Sequence, residues 1–406
     1  MELSTYLNMM RDPAGLPFYP IVFQALLVFT FALHITMINL VAGAIFVAIT
    51  EIGKRSEFGI RLAKAMGRVI TVGFSVAIVL GVAPLLFVQV IYDPYWYTAT
   101  TMSAFWAMLF LALVTAAFYA GYGFYLGNKD SAPATGRDGM AWLAALMVIA
   151  AGLIIHMLSM EQLLSGHWKE WVVSEGTVSF AGGEFHGVSF GRFAHFILSS
   201  GAVIGVFMML YAWYFRDRAD YEPDYLDYVG RQGVKIAVWS TLASVGAGFW
   251  WFGTVPEEFM FARNPFFLAG AIMGVCALIY IAGSAARPAE RAVPSAIFLF
   301  LTILVMCCAR EGLRMDYAGA AGYSIFDYKL NVDWPSTILF FATFVMGLVV
   351  LWFPAVAAYK AGQAKPGEVV ELDPRLGKMA VGLLIGWFAV VAGLGIVVSL
   401  KNGMLF

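Results

Sequence analysis

Few residues in this sequence carry a charge, and fewer still are cysteine. Asp, Glu, Lys and Arg make up 13% of its 406 residues, hydrophobic residues 61%, and the mean hydropathy is +0.79. Soluble domains carry about 25% charged residues, so the composition excludes a soluble fold and points to a polytopic membrane protein. The three cysteines, Cys276, Cys307 and Cys308, all fall in apolar runs. Without a Cys-x-x-Cys-His there is no covalent c-type haem, and without paired cysteine clusters there is no iron–sulfur or structural zinc site. A P-loop and a dinucleotide-binding glycine fingerprint are missing too. The opening "MELSTYLNMMRDPAGLPFYP" lacks the basic start and short apolar core of a cleavable signal, so the first span is expected to drive its own insertion. No internal repeat or low-complexity tract is visible, and no nucleic-acid partner is expected, although the net charge of −1 by itself says nothing about partners.

What is present is a series of ten apolar runs, at about 19–50, 68–92, 102–127, 139–162, 190–215, 235–253, 265–284, 293–310, 335–359 and 379–400. A hydrocarbon core about 30 Å thick takes roughly 20 residues per helical span. The expected fold is therefore an all-α transmembrane bundle of about ten helices, with no room for a soluble domain. Alternate loops hold Lys54, Arg55, Arg61, Lys64 and Arg68; Lys129 and Arg137; Arg216, Arg218, Arg231 and Lys235; Arg287 and Arg291; and Lys360, Lys365, Arg375 and Lys378. These are 17 of the 25 basic residues, which places those loops in the cytoplasm and both termini on the outer side of a cell inner membrane. The opposite loops are rich in Tyr and Trp, as an interfacial belt or docking surface is.

Ionisable groups inside a bilayer are costly and point to function. The interiors of the runs hold no carboxylate; the nearest are Glu161 and Glu311, at outer ends. His34 lies near the middle of the first run in "FALHITMINLVAG", His156 toward the outer end of the fourth, and His195 about one turn into "RFAHFILSSGAVIGVFMMLYAWYF"; His167 and His186 fall in a loop. A histidine with no acid beside it suits haem iron better than a proton relay, because imidazole ligates while neutral. The alternative for each is a hydrogen bond to a neighbouring backbone carbonyl or hydroxyl. Met273, in "FFLAGAIMGVCALIY", lies about 12 Å below the outer end of its run at helical rise, near the expected depth of His195. The two are placed to face one iron, or Met273 simply fills core. Arg310 and Arg314 are cations near the outer surface, as haem propionates require.

These ordered landmarks resemble subunit I of the cytochrome bd family of quinol oxidases over about 360 residues, with the stretch 361–406 as an added loop and tenth span. The resemblance implies that His34 binds the active-site haem, that His195 and Met273 are the axial ligands of a low-spin haem b, and that Glu311, in a Glu-x-x-Arg motif with Arg314, ligates or neighbours a further haem. It implies one to three haems b, quinol as electron donor and a second membrane subunit. His156 lies outside the family pattern and either ligates a differently placed haem or bonds backbone.

The chain also departs from that family. The outer loop associated with quinol shrinks to "GTVPEEFMFARNP", where Glu257 stands as candidate acid for quinol deprotonation. The second and third spans, "VAPLLFVQV" and "FWAMLFLAL", lack the family's glutamates, and Met315–Asp316 replaces the Pro-Trp after Glu-x-x-Arg. Oxygen reduction takes four protons, for which an apolar bundle without a carboxylate ladder offers no route from the cytoplasm. The expected function is thus electron transfer between membrane quinol and a redox protein, such as a cytochrome, docked on the outer face. Divergent oxygen reduction and a non-redox transporter or scaffold are the alternatives.

Overall fold

The computed structural model describes residues 2–128, 138–174, 177–179, 181–365 and 367–404. The expected cytoplasmic residues Lys129 and Arg137 lie outside the described residues. The described residues form thirteen α-helices in chain order: α1 (Leu3–Met9), α2 (Pro20–Gly53), α3 (Glu57–Ile91), α4 (Asp93–Met102), α5 (Ala104–Asn128), α6 (Asp138–Leu163), α7 (Trp168–Val172), α8 (Phe190–Phe215), α9 (Pro223–Phe252), α10 (Pro265–Ala282), α11 (Ala292–Ala320), α12 (Trp334–Gln363) and α13 (Pro374–Lys401). Among the described residues the only sheet is the two-stranded pair Val173–Ser174 and Thr177–Val178.

Nine of these helices are long and apolar enough to cross a membrane, and the chain is an all-α, multi-pass membrane protein. The run 235–253 falls short on apolarity because Trp, Ser, Thr and Gly dilute it, yet it folds as the upper part of α9. That helix packs along α8 more extensively than any other pair of helices does.

Several helices outrun their apolar runs. α3 begins at Glu57 rather than near 68, because Ser56 caps it: its Oγ accepts from the Gly59 N–H at 3.1 Å. One of the four unpaired N–H groups of the first turn is thereby satisfied. Ser56→Ala is expected to lower stability by about 1 kcal/mol, seen as an earlier midpoint when the detergent-solubilised protein is titrated with SDS.

The spans form two rings. α2, α3, α5 and α6 contact one another in a closed circuit, and α8, α9, α10 and α11 do the same. The rings meet where α2 packs on α8 and α11. Each ring opens with a helix running in the same direction, so the second repeats the first. The repetition lies in packing geometry and leaves no matching string of residues. α12 and α13 pack on each other beside the rings, and almost all of their residues are exposed or half-buried.

Glycine sets the closest approaches. A Cβ on Gly43 of α2 would stand 2.6 Å from the Ser200 carbonyl oxygen of α8, and one on Gly205 of α8 would stand 2.4 Å from the Gly233 oxygen of α9. Such backbone contact is typical of membrane helices, where tight packing replaces the hydrophobic drive.

The two ends of the bundle differ in charge. At the lower end Arg61 pairs with Glu222 at 2.8 Å and Arg218 donates to the Gly362 carbonyl, gathering basic loops on one face. At the upper end the N-terminal segment packs on the loop before α12. Leu16 bridges Leu330, and the Arg11 guanidinium lies 4.1 Å above the Tyr323 ring. There Asp93 accepts from Tyr328 and from the Asp12 N–H; burial raises its carboxyl above the usual range, against the pull of both hydrogen bonds.

Candidate functional site

The two central helices are packed tightly in their lower halves and loosely above. On α8, Gly201–Val206 are all buried, whereas all eight residues Phe193–Ser200, covering every face of two turns, are only half-buried. On α2, Leu33–Ile38 are half-buried in the same way, before a mostly buried stretch from Val41 to Ala48. A helix with neighbours on several sides that is not fully buried on any face is loosely packed. The loosely packed zone lies in the upper half of both rings.

One histidine faces it in each ring, in matching surroundings. His34 Nδ1 lies 2.9 Å from the Ala77 carbonyl oxygen on α3, and His195 Nδ1 lies 2.8 Å from the Ser244 carbonyl oxygen on α9. A carbonyl oxygen only accepts, so Nδ1 carries the hydrogen and Nε2 keeps its lone pair. This is the tautomer of a metal-ligating histidine steadied by a backbone oxygen. Four residues beyond each carbonyl stands a glycine, Gly81 or Gly248, on which a Cβ would lie 2.8 Å from His34 Cε1 or 3.0 Å from His195 Nδ1. Gly248→Val is therefore expected to push the His195 ring off its carbonyl, while Gly246→Val, with nothing within 4 Å of its Cβ, leaves it in place. The Nδ1–H resonance, shifted by that hydrogen bond, reports the difference.

The two imidazoles also share a depth. Gly43 packs between Ser200 and Ile204, so His34, nine residues above Gly43, sits about two residues or 3 Å higher than His195. The sequence placed His34 near mid-span and His195 near the surface. The difference disappears because α2 extends well above His34, to Pro20.

Met273 lies in the His195 ring, on α10, diagonally across from α8. Phe267 stacks on Phe252 of α9 at 5.3 Å; Met273 is six residues below the first, and Ser244 and Gly248 are eight and four residues below the second. α10 thus brings half-buried Met273 to the level of His195.

Above the histidines is a cluster of cations. Arg192, three residues before His195, is buried; its guanidinium donates to Met160 Sδ at 2.8 Å and to Ser159 Oγ at 3.4 Å, and its Nε is unpaired. Arg310 lies 4.3 Å above the Phe31 ring, and its Nε is unpaired. Arg314 faces Glu311 at 3.4 Å, but neither its Nη1 nor Glu311 Oε2 makes a hydrogen bond. Among the described residues neither Arg192 nor Arg310 has a carboxylate partner. Three guanidiniums against one carboxylate leave an excess of two positive charges in apolar surroundings, which is strongly unfavourable without anions. The sequence reading named Arg310 and Arg314 and missed Arg192.

Glu311 is turned toward α2 and α3. Its Oε1 accepts from Tyr92 Oη at 2.7 Å and from Gln24 Nε2 at 3.3 Å. Gln24 is ten residues above His34, about 15 Å at helical rise, so the structure brings Glu311 to Gln24 rather than to the His34 ring.

His156 is buried on α6, and its Nε2 accepts from the Ser189 N–H at 3.3 Å, at the start of α8. This is the backbone bond left open as its alternative role. Glu257 is exposed on a three-residue 3-10 turn, whose Phe259 packs on Tyr317 of α11 at 4.6 Å. His167 and His186 stack on either side of Trp171 in the loop above α6. Glu161, missed as a site residue, is fully buried; Ser103 Oγ donates to its Oε1 at 2.7 Å, and its Oε2 has no partner.

The donor set fits haem. Two neutral imidazoles leave Nε2 free in the loosely packed zone, as iron requires, and the two surplus guanidinium charges match the two propionates of one haem. No protein-family profile and no curated protein matches the chain.

Proposed function

We propose that this chain is the haem b-bearing membrane subunit of a quinol-linked respiratory complex, passing electrons between membrane quinol and a redox protein docked on its upper face. One observation carries the reading. Two histidines at one depth, each held through Nδ1 by a backbone carbonyl of the next helix, offer free Nε2 atoms to the loosely packed half of the bundle. The excess of buried arginine supports it, since nothing else described there offsets that charge.

Haem iron, when bound, supplies one-electron exchange. The protein's own groups do the rest. Ala77 and Ser244 fix the imidazole tautomers, and the apolar walls of α2 and α8 keep water from the ring faces. Met273, level with His195, would supply a second ligand. Arg192, Arg310 and Arg314 would hold the propionates, beside the acid–phenol pair of Glu311 and Tyr92. On this reading the basic lower face is cytoplasmic, the membrane is the cell inner membrane, and a second membrane subunit covers part of the bundle. The kinship proposed is with subunit I of the cytochrome bd family.

The reduced-minus-oxidised absorption spectrum of the purified protein tests the reading, together with a pyridine haemochrome assay. Bands of haem b are expected, and a colourless preparation from haem-replete cells overturns the proposal. A further signal that shifts with carbon monoxide would instead identify a site for oxygen chemistry.

A further inference from the structure

We propose that the quinol ring binds in a cavity between α4 and α7 at the upper edge of the first ring, and not at the short loop around Glu257; this rests on the redox reading above. The cavity has a volume of about 410 Å³, and Thr98, Thr101 and Met102 of α4 face Trp168 and Val172 of α7 across it. That volume lies in the range of small-molecule sites, and apolar walls with a few polar groups are their usual composition.

Its position suits a ligand that arrives through the lipid. Met102 lines it, and α5 begins two residues later; Phe105 and Met108, exposed on that helix, mark where the chain enters the apolar zone. A membrane-dissolved ring reaches the cavity without crossing water. Glu257, by contrast, stands exposed on its turn.

Behind the Trp168 face, outside the cavity lining, lies a buried carboxylate, Glu161. The Trp168 indole donates to the Glu161 carbonyl at 2.7 Å, and Ser103, next to Met102, donates to Glu161 Oε1. The other carboxylate oxygen is buried and unpaired, a state that calls for a donor. A hydroquinone brings two hydroxyl donors, with the Thr98 and Thr101 hydroxyls in the lining to receive them. A phospholipid phosphate brings only acceptors and would find one cation, Lys169, in the lining. The Trp168 face is also the start of an aromatic line. Tyr95 packs on it at 5.7 Å, Tyr92 packs on Tyr95 at 6.4 Å, and Tyr92 Oη bonds Glu311. The cavity is thereby joined by packed rings to the arginine cluster.

The test is photolabelling of the purified full-length protein with an azido-benzoquinone, mapped by mass spectrometry, with haem content measured on the same samples. Label is expected within 94–102 or 168–179, displaced by excess decylubiquinol. Thr101→Phe fills the cavity from an exposed position and is expected to lower labelling about tenfold, as is Thr98→Phe, while Glu257→Gln leaves it unchanged. Label within 254–263, loss of label in Glu257→Gln, or displacement by phosphatidylglycerol but not by decylubiquinol overturns the site. A protein without haem refutes the redox reading, whereas the labelling map judges the cavity by itself.

Discussion

Replacing His195 by alanine is expected to remove one haem b per chain and leave a second in place; His34→Ala is expected to remove the other. The two histidines belong to different rings, and each is held by its own carbonyl, Ser244 or Ala77. Neither site depends on the imidazole of the other. Without Nε2, iron loses its strongest ligand on that side, and the ring of the porphyrin has only apolar contacts to retain it. The double variant should be colourless yet still inserted, because helix packing in the lower half does not involve either side chain. Pyridine haemochrome titration of the three purified variants checks this, and a His195→Ala spectrum identical to that of the unaltered protein sinks the assignment. Arg192→Gln should retain the haem but shift its midpoint potential downward, since removing a buried cation disfavours the extra electron.

The second large effect concerns the fold itself. Gly205→Val would place a Cβ 2.4 Å from the Gly233 oxygen and 2.7 Å from the Ala237 Cβ, so α8 and α9 must separate to admit it. The opposing atoms are backbone and cannot rotate away. Overpacking a well-fitted core costs roughly 1–3 kcal/mol where side chains can adjust, so a loss of at least about 3 kcal/mol is expected here. Gly386→Val on α13, which has nothing within 4 Å, serves as the neutral comparison. SDS titration reads both, and equal midpoints would mean that the α8–α9 contact carries no stability.

Much of the architecture could be read from apolar run length alone, because a membrane span must be long and greasy whatever it packs against. The short helices α4 and α7 were not anticipated: they lie at the upper edge, where ten and five residues of mixed character leave no periodic signal. The repeat of the two rings was hidden for a different reason. The groups that make the histidine sites equivalent are the carbonyls of Ala77 and Ser244, and a carbonyl belongs to every residue type. His34 and His195 were legible because imidazole in an apolar run is conspicuous. Arg192 was not, since it sits at the end of a run and reads as an ordinary flanking charge; only the fold turns it inward beneath Trp251. The partners of Glu311 were equally out of reach, for Gln24 lies 287 residues away in the chain.

The shared level of His34 and His195 has an energetic corollary. Moving one elementary charge through the full membrane voltage involves about 2.3 kcal/mol per 100 mV, but a step between two centres only about 3 Å apart in height crosses a small fraction of that field. Electrons relayed from one ring to the other would travel sideways, almost without electrical work. Such a wire neither charges the membrane nor is slowed by its voltage, so the complex would conserve energy only through the side on which protons are released.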